Sequence, residues 1–303
     1  MMALALAALV ASAITAPGPN GPLEGTFVDA GKAAPVVLII PGSGPTDRNG
    51  NNPLGITAAP YRLLAEALAA KGVSTVRIDK RGMFGSKAAI PDANAVTIAD
   101  YARDAHAWAQ AIQARTGAKC VWLLGHSEGG LVALSAIQDP RTVCGAILVS
   151  TPGRKLGEVI RQQLRSNPAN APILGQAMSA IDSLEAGKPV DMNSVDPALR
   201  PLFNTAVQPF LIDVMRVDPP QLAASATVPI LIVQGEHDLQ VTEGDAKLLA
   251  AGQPKATLVS IPTMNHVLKD VPADRAANAA SYADPSLPID PKLVDAIAAF
   301  VRR

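Results

Sequence analysis

The predicted junction between a strand and a helix at residues 120–136 limits the possible folds and functions of this chain more than any other feature. An apolar run over residues 120–124 leads directly into G-H-S-E-G at residues 125–129, and a helix-forming run follows. The backbone at the middle of such a turn is cramped, and the glycines two positions before and after remove side chains that would clash. The hydroxyl of Ser127 then stands at the start of a helix, where N–H groups favour negative charge. We predict that Ser127 is a nucleophile; a glycine-rich turn with a chance serine is the alternative.

A nucleophilic serine requires a base, and the chain has four histidines, His106, His126, His237 and His266. His106 lies off the apolar stripe of a predicted helix that begins near Thr97, so it is expected on the surface. His126 belongs to the turn itself and is expected to support its packing. His237 and His266 each follow a predicted strand, and ligands bind an open α/β sheet at the carboxyl ends of its strands.

Chain order distinguishes these candidates, because this kind of architecture places the nucleophile first, then the acid and then the histidine. Asp238 as the acid and His266 as the base satisfy that order. His266 would accept the proton of Ser127, and Asp238 would fix the tautomer of His266 and stabilise its imidazolium. Glu236 and Asp245 are weaker candidates for the acid, and a surface aspartate in a tight turn is the alternative for Asp238.

Attack on an acyl group also requires hydrogen-bond donors for the oxyanion that forms. The N–H of Glu128, the residue after the nucleophile, is one predicted donor. The second is the N–H of Ser43, because glycines flank it after the predicted strand 35–40 and let the backbone approach a ligand closely. A phosphate-binding loop is the alternative, but the chain has neither G-x-x-x-x-G-K-[ST] nor G-x-G-x-x-G.

Five segments together resemble the α/β-hydrolase superfamily. They are P-G-S-G-P-T-D-R-N-G-N at residues 41–51, D-K-R-G at 79–82, G-H-S-E-G-G at 125–130, G-E-H-D-L-Q-V at 235–241 and N-H at 265–266. The first segment is the most specific, and with it residues 24–303 resemble a bacterial carboxylesterase group typified by esterase D. The resemblance implies hydrolysis of small-molecule carboxylic esters with short to medium acyl chains, without a cofactor. The chain departs from the group's pattern at Phe84, where glycine is usual.

Strand and helix patterns alternate along the chain, and the strands are continuously apolar, which predicts a mainly parallel sheet flanked by helices. Residues 17–151 and 227–303 are predicted to form the two parts of this α/β-hydrolase core. Residues 152–226 contain helical runs without a strand pattern and are predicted to form a helical cap. Phe203 and Phe210 of the cap, with Met83 and Phe84 of the core, are predicted to line the substrate pocket.

The amino terminus has the composition of an export signal. Residues 1–16 are almost wholly apolar, too short for a membrane span, and end in two small-x-small patterns, so we predict a signal peptide cleaved after Ala13 or Ala16. The absence of Lys and Arg near Met1 weakens this prediction, and an apolar helix packed against the body is the alternative. The protein is accordingly expected in the periplasm or outside the cell, without stable membrane association.

Composition excludes several other classes of function. The 26 basic and 26 acidic residues give a formal net charge of zero, and aromatic residues make up 3% of the chain. Such a chain lacks the positive charge and the stacking surface that nucleic-acid binding uses. The isolated histidines and distant cysteines form no metal-ligand pattern, so no metal is expected.

Of the two cysteines, Cys120 opens one predicted strand and Cys144 precedes the next, so both lie at the sheet edge opposite the predicted site. An exported chain favours a disulfide between them, whereas two buried thiols are the alternative.

For the function, the sequence favours a serine carboxylesterase acting through an acyl-enzyme intermediate. A serine peptidase of the prolyl-oligopeptidase type shares the catalytic order but usually carries a large propeller domain, for which this chain has no room. A non-catalytic ligand-binding protein on the same fold is the other alternative.

Overall fold

Eight strands form one sheet in the computed structural model, which describes residues 11–303. In chain order they are β1 (Ala11–Pro17), β2 (Pro22–Val28), β3 (Val36–Ile40), β4 (Ser74–Ile78), β5 (Val121–His126), β6 (Val143–Val149), β7 (Ile230–Gly235) and β8 (Thr257–Ile261). Their order across the sheet is β1-β2-β4-β3-β5-β6-β7-β8. β2 pairs in an antiparallel manner with both of its neighbours, β1 and β4. Across the rest of the sheet, from β4 through β3 to β8, every pair is parallel. This topology confirms the predicted, mainly parallel sheet.

Helices cover both faces of the sheet. They are α1 (Pro60–Ala70), α2 (Ile98–Thr116), α3 (Glu128–Ala136), α4 (Leu156–Arg165), α5 (Leu174–Glu185), α6 (Arg200–Phe203), α7 (Gln208–Met215), α8 (Pro219–Ala224), α9 (Glu243–Gly252), α10 (Arg275–Ala280) and α11 (Pro291–Phe300). Alternate residues of β3 face opposite layers. Leu38 and Ile40 pack in the core with α2 and α3, whereas Val37 and Ile39 pack in the core with α1 and α11. Burial on both faces explains why the strands are apolar throughout.

The segment between β6 and β7 contains α4 to α8, and we call residues 152–226 the helical insertion. It has a small apolar core of its own, which includes Ile181, Leu184 and Phe203. A turn separates α6 from α7. Asn204 accepts a hydrogen bond from the N–H of Ala206 in the intervening turn, and Pro209 lies in the first turn of α7, where a missing N–H is tolerated. That the insertion covers the site stays a prediction.

The edge strand β1 includes residues 11–16, which were predicted from the sequence to belong to a signal peptide. Residues 1–10 lie outside the described part of the chain, but residues 11–17 pair along their whole length with β2. Ile14 and Ala16 point into the core in the alternation typical of a strand, and the guanidinium of Arg115 donates to the carbonyl of Ala13 at 2.7 Å. Cleavage after Ala13 or Ala16 would therefore cut within β1. The signal peptide and the export that depends on it stay predictions.

No helix between residues 11 and 303 is long and apolar enough to cross a membrane.

A disulfide joins Cys120 to Cys144 at the amino ends of β5 and β6, with the Cα atoms 5.1 Å apart. Val121 pairs with Val143 and Trp122 pairs with Gly145, so Cys144 is the extra residue of a bulge. Directly paired residues of neighbouring strands often aim their Cβ atoms poorly for bridging. A bulge redirects the side chain of the extra residue, and this accounts for the bond at this position.

Candidate active site

Ser127 occupies the sharp turn between β5 and α3. Its backbone has φ 53° and ψ −124°, a conformation that costs energy in a residue with a Cβ atom and that is concentrated at functional sites. Its N–H donates to the carbonyl of Val149 in the neighbouring strand at 3.0 Å. The side chain is half-buried, whereas His126 and Glu128 on either side are buried. The turn therefore presents the hydroxyl of Ser127 at the carboxyl edge of the sheet.

The glycines of this turn are required by close backbone contacts. A Cβ atom on Gly129 would lie 2.4 Å from the carbonyl oxygen of Ile40 and 2.6 Å from that of Pro41. A Cβ atom on Gly125 would lie 2.1 Å from the carbonyl oxygen of Gly129. The first turn of α3 thus packs, backbone to backbone, against the end of β3, and this contact brings the loop after β3 to Ser127.

We expect the variant Gly129→Ala to lose about 1–3 kcal/mol of unfolding free energy, because its methyl group would overlap backbone oxygens that cannot rotate away. Urea unfolding measures the loss. Gly175→Ala is the matched control, since a Cβ atom at this position of α5 would meet nothing within 4 Å, and alanine favours a helix over glycine. Equal unfolding free energies of the two variants would contradict the close contact of Gly129 with the carbonyl oxygens of Ile40 and Pro41.

Asp238 and His266 are hydrogen-bonded to each other after β7 and β8, with 2.8 Å between Asp238 Oδ2 and His266 Nδ1. Asp238 Oδ1 accepts the N–H groups of Gln240 and Val241 at 2.8 and 3.0 Å. Burial disfavours the ionised carboxyl group, but the charge of His266 and these hydrogen bonds outweigh burial and lower the pKa of Asp238. The carboxylate therefore holds the proton on Nδ1 of His266, which leaves Nε2 as the atom that can accept a proton.

His126 connects the turn at Ser127 to His266. The ring centroids of the two histidines are 4.7 Å apart, and His126 Nε2 donates to the backbone carbonyl of His266 at 2.9 Å. His126 Nδ1 accepts the hydroxyl of Tyr61 at 2.8 Å. Burial and the neighbouring His266 lower the pKa of His126 to about 3, so this ring is neutral. His126 has the packing role expected for it, and it also sets the backbone position of His266.

The hydroxyl of Ser127 and Nε2 of His266 make no hydrogen bond to each other or to any other group within residues 11–303. Hydrogen bonds between a nucleophile and its base are often long when no substrate is bound, and they tighten in the reacting complex. The structure thus brings Asp238 and His266 together, and the contact of His126 with His266 joins the turn at Ser127 to this pair. That Ser127 reacts with the help of this pair stays a prediction.

The remaining candidates lie elsewhere. His237 Nδ1 bonds to the carbonyl of Val271 at 2.8 Å, and His106 on α2 bonds to the hydroxyl of Thr142 at 3.1 Å. Neither ring contacts Asp238 through a hydrogen bond within the described chain. His106 is half-buried, not fully solvated as expected.

The two weaker acid candidates make no hydrogen bond to His266 within the described residues. Glu236 is exposed. Asp245 is buried in a pair with Arg154, at 2.7 Å, and its carboxylate accepts the N–H of Thr242 at the start of α9. Residues 11–303 contain no group of three histidine, cysteine or acidic side chains placed to hold a metal ion.

Two backbone donors lie next to Ser127. One is the N–H of Glu128, the first residue of α3, and the other is the N–H of Ser43. A Cβ atom on Gly42 would lie 3.3 Å from the Cβ atom of Ser127, so the Gly42–Ser43 backbone lies against Ser127. Neither N–H donates to a protein group in the described part of the chain. Two such donors beside a nucleophile are what an oxyanion requires.

The D-K-R-G segment after β4 holds the loop that carries Ser43. Asp79 accepts the backbone N–H of Arg48 at 2.8 Å and also pairs with its guanidinium. Arg81 pairs with the carboxylate of Asp104 on α2 at 2.6 and 2.5 Å. Such two-point ion pairs fix orientation as well as position. The two segments that resembled one family in the sequence are therefore neighbours in space.

Sequence reasoning missed Tyr61 and Lys80. The hydroxyl of Tyr61 accepts the N–H of Gly42 at 3.1 Å, and Nζ of Lys80 donates to the carbonyl of Gly42 at 2.7 Å. A lysine directly after a buried parallel strand was a usable signal for Lys80, since sites form at that edge. Tyr61 lies within an ordinary amphipathic helix, where the sequence gives no signal.

The predicted pocket residues have different environments. Phe203 is fully buried in the core of the helical insertion, so the prediction that it lines the substrate pocket is wrong: the ring fills space between α5, α6 and α7. Phe210 is half-buried, and its ring packs edge-on against Tyr101 with the centroids 6.1 Å apart. Met83 is half-buried and Phe84 is 45% exposed. Phe84 has φ 45°, which explains why glycine is usual at this position. A pocket role for these three residues stays a prediction.

The chain matches known proteins in sequence and in fold. A family model described as serine aminopeptidase, S33, matches residues 54–270. Esterase EstD of Thermotoga maritima is 26% identical over an alignment of 241 residues, and the match covers 77% of this chain and 54% of that protein. The chain thus spans about half the length of this relative.

Solved structures of esterases superpose on nearly the whole chain. An esterase of Pyrococcus furiosus gives a TM-score of 0.58 at 15% identity, over 97% of this chain and 93% of the other. A thermophilic esterase of Thermogutta terrifontis, solved with malate bound, gives a TM-score of 0.57 at 18% identity, over 97% and 98% of the two chains. These likenesses confirm the predicted α/β-hydrolase fold.

Proposed function

Since this chain belongs to the serine aminopeptidase, S33, family and has the α/β-hydrolase fold, we propose that it is a serine carboxylesterase. Its substrates are esters with short to medium acyl chains, and the reaction passes through an acyl-enzyme. The observation that supports this proposal is the strained turn at Ser127, whose His126 packs against the hydrogen-bonded pair of His266 and Asp238. The likeness to Esterase EstD supports the choice of an ester substrate.

In the proposed reaction, His266 Nε2 takes the proton from the hydroxyl of Ser127 as the oxygen attacks the ester carbonyl carbon. The N–H groups of Ser43 and Glu128 stabilise the oxyanion of the tetrahedral intermediate. The intermediate collapses, His266 returns the proton to the leaving alcohol, and the acyl group stays on Ser127. Water then attacks the acyl-enzyme by the same proton transfers, and the carboxylic acid leaves. Asp238 remains ionised and stabilises the imidazolium throughout.

An aminopeptidase is the second candidate, because the matching family model is described by that activity. Such an enzyme has to pair the ammonium group of its substrate with a carboxylate in the cleft. The carboxylate nearest Ser127 in sequence, that of Glu128, is buried 3.8 Å from Lys80 and is occupied by this contact. Glu128 is therefore not available to a substrate ammonium group.

A substrate panel separates the two activities. We propose p-nitrophenyl esters of two to twelve acyl carbons beside aminoacyl-p-nitroanilides of leucine, alanine and proline. An esterase hydrolyses the short and medium esters and leaves the anilides intact. Faster cleavage of any anilide than of every ester would replace the esterase proposal with the peptidase.

We expect Phe210 to limit the acyl chain, because it is the bulky apolar residue of the helical insertion that contacts Tyr101, which in turn lies over Lys80 beside the site. In the variant Phe210→Ala, the preferred ester should lengthen by about two carbons, since each methylene that gains room contributes about 1 kcal/mol or more. The chain-length profile of kcat/KM measures this shift. Leu202→Ala is the matched control, an exposed apolar truncation in the same insertion. An unchanged profile for Phe210→Ala would place the pocket wall elsewhere, with Met83 and Phe84 as the next candidates.

A further inference from the structure

The backbone of Gly42 and Ser43 has four polar groups, and three of them are held by side chains. The N–H of Gly42 donates to the hydroxyl of Tyr61 at 3.1 Å. The carbonyl of Gly42 accepts from Nζ of Lys80 at 2.7 Å. The carbonyl of Ser43 accepts from the hydroxyl of Thr46 at 2.9 Å. The fourth group, the N–H of Ser43, has no protein partner within residues 11–303.

The geometry of a peptide unit couples two of these groups. The carbonyl of Gly42 and the N–H of Ser43 belong to the same planar unit, and in a trans peptide they point in opposite directions. The described chain contains no cis peptide bond. A side chain that holds the carbonyl oxygen therefore also sets the direction of the N–H. Gly42 lacks a side chain that would restrict its dihedral angles, so this peptide would otherwise rotate easily.

Lys80 is itself held in one position. Its side chain is buried, 5.6 Å from the centre of the Tyr101 ring and 3.8 Å from Oε1 of Glu128. Its neighbour Arg81 anchors the segment to α2 through Asp104. A buried amine is costly unless it is bonded and paired. The contacts with Gly42 and Glu128 satisfy this requirement, and the N–H of Glu128 is the other predicted oxyanion donor beside that of Ser43.

We propose that Lys80 is a positioning residue of the oxyanion hole: by holding the carbonyl of Gly42, it turns the N–H of Ser43 toward the acyl group attacked by Ser127. This inference rests on the proposed esterase function. Lys80 touches neither the substrate nor the reacting atoms, and it acts through the Gly42–Ser43 peptide. Without it, the peptide can rotate so that a carbonyl oxygen, not an N–H, faces the oxyanion.

The test compares binding of the charged intermediate with binding of an uncharged ligand. A trifluoromethyl ketone with a short alkyl chain forms a tetrahedral oxyanion adduct with a reactive serine, whereas the p-nitrophenyl ether of the same chain has no carbonyl and forms none. In Lys80→Met, the inhibition constant of the ketone should rise about 10²-fold, and kcat for the matching ester should fall by a similar factor. KM and the inhibition constant of the ether should stay within about threefold.

Two further variants keep the result interpretable. Lys80→Gln keeps a polar group in the buried site but is one bond too short to reach the carbonyl, so it should give the same change if Lys80→Met does not fold. Lys269→Met is the matched control: Lys269 is also fully buried, with its ammonium on a backbone carbonyl, that of Leu287. It should lose stability while keeping the wild-type ratio of ketone to ether binding.

Folded Lys80→Met or Lys80→Gln protein with the wild-type ratio would overturn the assignment, as would an equal loss of ketone and ether binding. Failure of the esterase proposal looks different. In that case the wild-type protein itself would not hydrolyse the ester.

Discussion

Ser127→Ala and His266→Ala should each lower kcat for a short p-nitrophenyl ester by roughly 10⁴–10⁶-fold, and Asp238→Asn by roughly 10³–10⁴-fold. Each change removes one member of a unit whose parts work only together. The asparagine keeps the shape of Asp238 but neither carries its charge nor holds the correct tautomer of His266. For the same reason, the double variant of Ser127 and His266 should be barely slower than either single variant.

The control for these variants is His237→Ala. His237 directly precedes Asp238 in the chain, but its ring bonds to the carbonyl of Val271, so its loss should change kcat less than about tenfold. Circular dichroism and urea unfolding should show that all variants are folded. Wild-type-like ester hydrolysis by purified Ser127→Ala protein would contradict the proposed function at once, and a loss in His237→Ala equal to that in His266→Ala would contradict the assignment of the base.

Removing the disulfide should cost roughly 3.5 kcal/mol of unfolding free energy, because Cys120 and Cys144 are 24 residues apart in sequence and the bond closes the loop between them in the unfolded chain. Urea unfolding of the oxidised and the reduced protein measures the difference. Turnover at temperatures well below unfolding should be unchanged. The bond lies at the amino ends of β5 and β6, and the six residues of β5 separate it from Ser127 by about 20 Å.

The double variant Cys120→Ala/Cys144→Ala separates the effect of the bond from that of the reductant. Its unfolding should match that of the reduced wild type and should not respond to reductant. Equal unfolding free energies for oxidised and reduced wild-type protein, with the bond verified by mass, would show that strain in the folded state cancels the loop term. A parallel loss of turnover would show that the bond also supports the site.

Much of the fold could be predicted because local sequence carries it. Continuously apolar strands alternate with amphipathic helices, and this pattern requires a parallel sheet covered on both faces. The turn at Ser127 could be predicted for the same reason: the glycines at positions 125 and 129 are needed within a few residues of each other. The order of the catalytic residues that is typical of this architecture then selected Asp238 and His266 as partners of Ser127. In the structure, Oδ2 of Asp238 lies 2.8 Å from Nδ1 of His266.

Contacts between distant segments could not be predicted in this way. A bulky apolar side chain such as Phe203 suits a pocket wall or a core equally well, and only the packing of α5, α6 and α7 showed that it belongs to a core. Similarly, residues 11–17 could be recognised as a strand only from their pairing with β2. In the sequence alone, a short run of small apolar residues fits a signal peptide equally well.

The sequence by itself determined the sheet and the turn at Ser127, because backbone conformation depends on neighbours within a few residues. Only the tertiary structure decided what holds the backbone of Gly42 and the ring of His126 beside that turn. Lys80 and Gly42 are 38 residues apart, and Tyr61 and His126 are 65 apart. A hydrogen bond between such pairs depends on how β3, β4 and α1 pack together, and no local pattern specifies the final ångströms of that packing.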